Sequence, residues 1–209
     1  MNFKKSCLLA LTGVALAASA QADGLYSENF DNLATSGWIL TNNSSPAGAN
    51  WFQGNEGIFA AQSGAAGAYA GANFLSSTSD TGSISNWLIS PEITLGSASV
   101  LTFYVRTDTA GYQDALNVYF HAGSDSSTAS FTSLLTAVTA TSGWTQYTVT
   151  LPNAATGRIA FEYAVGNASN ANYIGLDTVQ ISAVPEPTTY GLMALGLVGI
   201  AALRRRSAD

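Results

Sequence analysis

Apolar and polar residues alternate along most of the middle of this chain, and that period of two decides its fold class. Leu101, Phe103 and Val105 alternate with Thr102, Tyr104 and Arg106, and Leu116, Val118 and Phe120 with Asn117, Tyr119 and His121. The same rhythm runs through Tyr147, Val149 and Leu151, and through Ile159, Phe161, Tyr163 and Val165. Successive side chains of a strand point to opposite faces, so such runs are half-buried strands. Further strands are expected over 25–30, 37–41, 50–53, 68–74, 86–95 and 172–182. No long segment carries a helical period. Many strands separated by Gly, Ser and Asn read as an all-β, two-sheet antiparallel sandwich. The last strand breaks its own rhythm: Ile174 and Leu176 share one parity, Val179 and Ile181 the other. A bulge near Asp177 would bring both pairs to one core face. The Ala/Gly-rich stretch 64–71 reads as a loop feeding a strand.

The two ends have a different character. Lys4 and Lys5 precede an apolar run from Leu8 to Ala18, followed by the small-residue sites Ala18-Ser19-Ala20 and Ala20-Gln21-Ala22. This is the layout of a signal peptide over residues 1–22. The run is shorter than the ~20 residues a permanent span takes. Cys7 leaves with it, so the mature chain forms no disulfide. At the other end, Val184-Pro185-Glu186-Pro187 is stiff and extended because proline fixes φ. Tyr190 to Leu203 is apolar or glycine, and Arg204, Arg205 and Arg206 close it. A short transmembrane helix with arginines on the cytoplasmic side fits this order, and leaves everything before Pro185 facing outward. A plain membrane anchor would look alike.

Pro185-Glu186-Pro187, a short apolar helix and a terminal arginine cluster, in that order over residues 184–209, resemble the PEP-CTERM sorting signal. The resemblance implies that an integral-membrane exosortase, a cysteine-type transpeptidase, cuts near the proline motif. It also implies a transient inner-membrane anchor, then a place at the cell surface or extracellular matrix, in a Gram-negative host that makes exopolysaccharide.

Between the ends, residues 23–183 form one domain with eleven acids and two basic residues, Arg106 and Arg158, a balance of −9 with no lysine. Nucleic acid needs clustered Lys and Arg, so it is excluded as a partner. Several motifs carry a second resemblance. Ser27-Glu28-Asn29-Phe30-Asp31 with Gly37-Trp38, then Asn86-Trp87-Leu88-Ile89-Ser90-Pro91, then Gly143-Trp144 and Tyr173-Ile174-Gly175-Leu176-Asp177-Thr178-Val179, are similar to the choice-of-anchor J domains. These are MAM-like jelly rolls related to cleaved-adhesin modules, so a jelly-roll sandwich is implied. Members usually show two acids where this chain has Asp177 and Thr178.

Catalysis has little to work with. His121 stands on a polar strand face with no nucleophile motif beside it, and a triad needs three groups in contact. No catalytic residue is assigned. Calcium takes six to eight oxygen ligands, and in jelly rolls of the resembled type an ion commonly ties the first strand to the last. Glu28, Asp31 and Asp177 are the expected ligands of a structural Ca2+. Sugar binding needs aromatic faces among polar groups. Trp51 and Phe52, among Asn50, Gln53 and Asn55, are the expected surface platform, and Tyr104 with Tyr119 on neighbouring strands a second. Trp87 and Trp144 begin strands and are expected in the core. The reading that unites these is a non-enzymatic matrix or surface protein associated with exopolysaccharide or biofilm. A secreted carbohydrate-active enzyme of glycoside-hydrolase type and a protein-binding adhesin are the alternatives.

The sorting signal makes a direct prediction. Replacing Pro185-Glu186-Pro187 with three alanines should leave export intact but hold the protein in the inner membrane with its tail uncut. Mass spectrometry of released wild-type protein should find no peptide containing Arg204–Arg206; its presence would refute the processing.

Overall fold

A computed structural model of the chain describes residues 24–184, apart from Ser97 and Ala110, together with Gly196. The expected signal peptide and sorting helix lie outside the described residues. Twelve strands run β1 Gly24–Glu28, β2 Ile39–Asn42, β3 Phe52–Gln53, β4 Ala70–Asn73, β5 Ile84–Ile89 and β6 Ile93–Thr94, then β7 Ser99–Thr107, β8 Ala115–Ala122, β9 Ser133–Thr139, β10 Thr145–Leu151, β11 Thr156–Val165 and β12 Tyr173–Ala183. They form two antiparallel sheets. One has the order β10-β7-β12-β4-β3, with β1 also on β12; the other has β2-β5-β11-β8-β9, with β6 also on β11. The fold is an all-β jelly-roll sandwich.

The alternation read from sequence sets which side chains meet between the sheets. Leu101, Phe103 and Val105 of β7, Leu116 and Val118 of β8, and Ile159, Phe161 and Tyr163 of β11 are all fully buried. Phe103 and Phe161 meet edge to face across the sandwich, ring centres 5.1 Å apart. Burying a side chain of this size stabilises the fold by about 1.5–3 kcal/mol.

The expected bulge is present. Register between β12 and β7 shifts between Asp177 and Gln180, and Thr178 takes a left-handed φ of 49°. Ile174, Leu176, Val179 and Ile181 are consequently all at 0% exposure. The bulge also divides one edge of β12 between two partners. Residues 173–176 pair with β4 and residues 179–182 with β1.

A buried carboxylate ties the two sheets. Asp114, 1% exposed, accepts hydrogen bonds from Tyr163 Oη (2.5 Å), Asn172 N (2.9 Å) and Thr107 Oγ1 (2.7 Å). Three donors meet the need of a desolvated charge for partners. Burial, followed by the Asp114 charge, pushes the Tyr163 hydroxyl far above its ordinary value.

The outer face of the first sheet is bare backbone where Gly175 and Gly71 pair. A Cβ on Gly175 would come within 2.9 Å of Phe59, and one on Gly71 within 2.9 Å of Phe52. Phe59, Tyr69 and Tyr173 pack over these glycines with Phe52 and Trp144 alongside, and so fix the loop joining β3 to β4.

Four expectations differ from the structure. The strand expected over 86–95 is two strands, β5 and β6, interrupted at Ser90-Pro91, because proline has no amide hydrogen to give a ladder. Strand β9 was absent from the expectation: Ser133 and Leu134 are exposed, Leu135 and Thr136 are both half-buried, and an edge strand of that kind shows no alternation. Tyr104 and Tyr119 lie on β7 and β8, in different sheets, and form no joint platform. Trp87 and Trp144 lie outside the core between the sheets. Trp87 packs with Phe131 and Tyr119, and Trp144 with Phe59 and Tyr69.

Candidate functional site

The chain leaving β1 turns sharply. Glu28 Oε1 accepts from Phe30 N at 2.7 Å. Phe30 itself has a left-handed φ of 52°, which is uncommon for a residue with a bulky side chain. That turn sends the Phe30 ring inward against Trp38, 5.3 Å away and edge on. Asn32 then caps the short 3-10 turn Leu33–Thr35 by accepting from Ala34 N.

Gln53 of β3 stitches this segment to the Ala/Gly loop. Its Nε2 donates to Phe30 O (2.8 Å) and Gly67 O (2.6 Å), and its Oε1 accepts from Leu33 N (2.8 Å). Between these segments opens a cavity of about 580 Å³, within the size range of small-molecule sites. Trp38, Leu40, Trp51 and Phe52 give it apolar walls, and Asp31, Asn32 and Gln53 give it polar groups. Ala65, Gly67 and Ala68 close the remaining side with small residues.

Both indole N–H groups are committed elsewhere. Trp38 Nε1 donates to Tyr26 Oη and Trp51 Nε1 to Asn86 O, each at 2.9 Å. Trp38 is 6% exposed and stacks on Phe161, so the indoles back the cavity as apolar carbon. Trp51 is 2% exposed, which corrects the expectation of a surface platform: its N–H bond to Asn86 draws it into the core. Phe52 is half-buried, its ring tilted against Tyr173. Both residues line the same cavity, Trp51 from the core and Phe52 beside Tyr173. Trp38, Gln53 and the small residues of the loop were not assigned a wall. The low-complexity Ala/Gly run was their one visible trace, since a stretch without bulk leaves space.

Two of the expected metal ligands, Asp177 and Asp31, lie against the same loop. Asp177, at 0% exposure, accepts from Gln62 N (2.8 Å) and Ser63 N (3.1 Å) through Oδ2, and from Thr178 N (2.6 Å) through Oδ1. Thr178 Oγ1 donates to Gln62 Oε1 at 2.6 Å. Asp31 Oδ1 lies 3.0 Å from where a Cβ on Gly64 would sit, and Glu28 pairs with Val179 just past the bulge. Among the described residues no three acidic, histidine or cysteine side chains come together as a metal cage, and amides already hold the Asp177 oxygens. Burial is the strongest influence on Asp177 and pushes its carboxyl up to about 6, against the amides of Ser63, Thr178 and Gln62, which pull it down.

On the second sheet, Glu162 is 9% exposed. It accepts from Ser85 Oγ (2.6 Å), Asn117 Nδ2 (3.0 Å) and Tyr119 Oη (3.0 Å), while Tyr119 stacks on Trp87. The loop carrying Phe131 packs against Trp87 and His121, and no nucleophile accompanies the histidine in these contacts.

Comparison with known proteins agrees with this architecture. Residues 29–185 match the MAM domain (meprin/A5/mu), and the chain belongs to that family. Residues 183–206 match the PEP-CTERM protein-sorting motif, which implies export, processing by an exosortase and a transient membrane anchor before surface or extracellular placement. Among the described residues no helix is long and apolar enough to cross a membrane. The solved K3 cleaved adhesin domain of Lys-gingipain from Porphyromonas gingivalis superposes with a TM-score of 0.64 at 23% identity, covering 78% of this chain and 100% of that one. The K1 domain of the same protein gives 0.62 at 27%, covering 76% and 98%, and the K2 domain 0.59 at 19%, covering 76% and 98%. These likenesses fit a domain of the choice-of-anchor J type. No curated protein matches the chain.

The Asp177 clasp predicts a pH dependence. Its folded carboxyl holds a proton more tightly than the unfolded one, so ionisation costs the folded state more. In chelator-treated protein, stability should fall as pH rises from about 4 to about 6 and then level off, by at most about 3 kcal/mol for two pKa units. Asp177→Asn should remove that slope in thermal melts. Equal slopes in both proteins would refute the assignment.

Proposed function

We propose that this is a non-enzymatic matrix or surface protein whose MAM-type sandwich binds extracellular polysaccharide in the cavity between the Asp31–Ala34 segment and the Ala/Gly loop. The observation that carries the reading is the cavity itself. Two indoles and a phenylalanine give it apolar walls, polar groups stand among them, and its size suits one or two sugar rings. Sugars are bound where apolar ring faces meet a few placed polar groups. The sorting motif supports the setting, because an exported surface protein meets polysaccharide there. Association with exopolysaccharide or biofilm belongs to the same proposal.

A structural calcium ion is a second, separate proposal. Asp177 and Asp31 lie against residues 62–64 and Glu28 lies beside Val179, which supports it, since an ion there would tie β1 to β12. Any such ion needs backbone carbonyls in its shell and competes with the amides on Asp177.

Two tests follow. Ala65→Trp and Ala34→Trp, both at exposed positions on the cavity rim, should lower affinity for a bound oligosaccharide by about tenfold or more, or about 1.4 kcal/mol, without changing Tm. Ser133→Trp on β9 should not. A glycan array finds the ligand and calorimetry measures it. Release of reducing sugar would replace binding with hydrolysis, and capture of a protein partner regardless of sugar would replace it with adhesion. For calcium, excess ion at about a hundred times Kd should add about 2.7 kcal/mol. Glu28→Gln or Asp177→Asn should abolish the gain and Glu162→Gln should keep it. Equal gains with magnesium would leave only charge screening.

A further inference from the structure

We infer that the glycan of the cavity carries protonated amino groups: the chemistry fits an N-deacetylated amino-sugar polymer. The inference rests on the glycan reading above and narrows it.

Charge is the first ground. Of the described residues lining the cavity, Asp31 alone is ionisable, and it is exposed. Neither arginine of the domain lines the cavity. Arg158, on β11 of the second sheet, donates through Nε to Ser124 O at 2.9 Å and through a terminal nitrogen to Ser90 O at 2.7 Å. Arg106 stacks its guanidinium over Phe59 at 4.4 Å. In calcium-free protein, a uronate or sulfate entering the cavity would meet a carboxylate with no basic side chain to offset it. An ammonium would meet its counter-charge.

Hydrogen bonding is the second ground. The nitrogen donors of Gln53, Trp38 and Trp51 are already committed, and Asn32, whose Oδ1 accepts from Ala34 N, keeps its Nδ2. Gln53 Nε2 serves Phe30 O and Gly67 O, Trp38 Nε1 serves Tyr26, and Trp51 Nε1 serves Asn86. The one charged group these walls present is the Asp31 carboxylate, an acceptor, beside the Asn32 amide. An ammonium brings three donors and no acceptor to that carboxylate. The third ground is the field of the whole domain. A balance of −9 repels polyanions and draws polycations, at a strength that falls with salt.

The test uses released mature protein and three probes of equal length: glucosamine oligomers, their fully N-acetylated counterparts and galacturonic acid oligomers. At slightly acid pH the glucosamine chain should bind about tenfold or more tighter than the acetylated chain, and the galacturonic acid chain should not bind. Asp31→Asn should erase the preference for the glucosamine chain over the acetylated chain. Raising salt from about 0.05 M to about 0.5 M should weaken the glucosamine chain selectively. Loss of glucosamine binding in Ala65→Trp is expected. Its retention there would mean that the surface charge alone binds it, and would overturn the inference. Binding of the galacturonic acid chain, or a preference unchanged in Asp31→Asn, would overturn it too while leaving the glycan reading intact. Binding of none of the three probes at any salt would remove the glycan reading with it.

Discussion

The break in β12 at Asp177 and Thr178 is the constraint around which the rest of the domain is arranged. An unbroken strand of this sequence would send Val179 and Ile181 to the outer face after Ile174 and Leu176 had gone inward. One left-handed residue resets the parity and keeps four large aliphatic side chains in the core. The same break lets β4 and β1 share one edge of β12. It also faces the Asp177 carboxylate with the amides of Gln62 and Ser63, fixing the start of the loop that continues into the cavity wall. A single irregularity thus joins the packing of the core to the shape of the surface.

The fold was legible wherever burial is one-sided. Strands β7, β8 and β10 each bury one face more than the other, and period two is the direct signature of that. The bulge was legible for the same reason, since a parity switch in Ile174–Ile181 has few other physical meanings. Strand β9 was not, because its leading residues are exposed and no face is sealed. Trp87 misled for a related reason. Both faces of β5 are covered, the inner by the opposite sheet and the outer by the loop carrying Phe131, so a buried tryptophan did not have to be a core tryptophan.

The cavity was legible only in part. Trp51 and Phe52 drew notice as aromatics among polar neighbours, and both line it. Their roles depend on where a distant atom accepts a proton: Asn86 O takes the Trp51 N–H and turns the ring inward. Gln53 joins Phe30, Leu33 and Gly67, contacts up to 23 residues apart, and no local pattern announces a glutamine of that kind. The space itself comes from side chains that are absent, at Ala65, Gly67 and Ala68.

The place of β12 also has a mechanical consequence. It is the last strand of the domain and leads directly in sequence into the sorting motif, so pull on a C-terminal attachment enters the domain along its axis. Over residues 180–182 it is bonded to β7 on one side and β1 on the other. Antiparallel ladder bonds stand perpendicular to the strand. Such a load shears the two ladders together, whereas a strand peeled from an edge gives up its bonds one at a time. A load applied through the C-terminus would therefore be shared by β7 and β1 over residues 180–182.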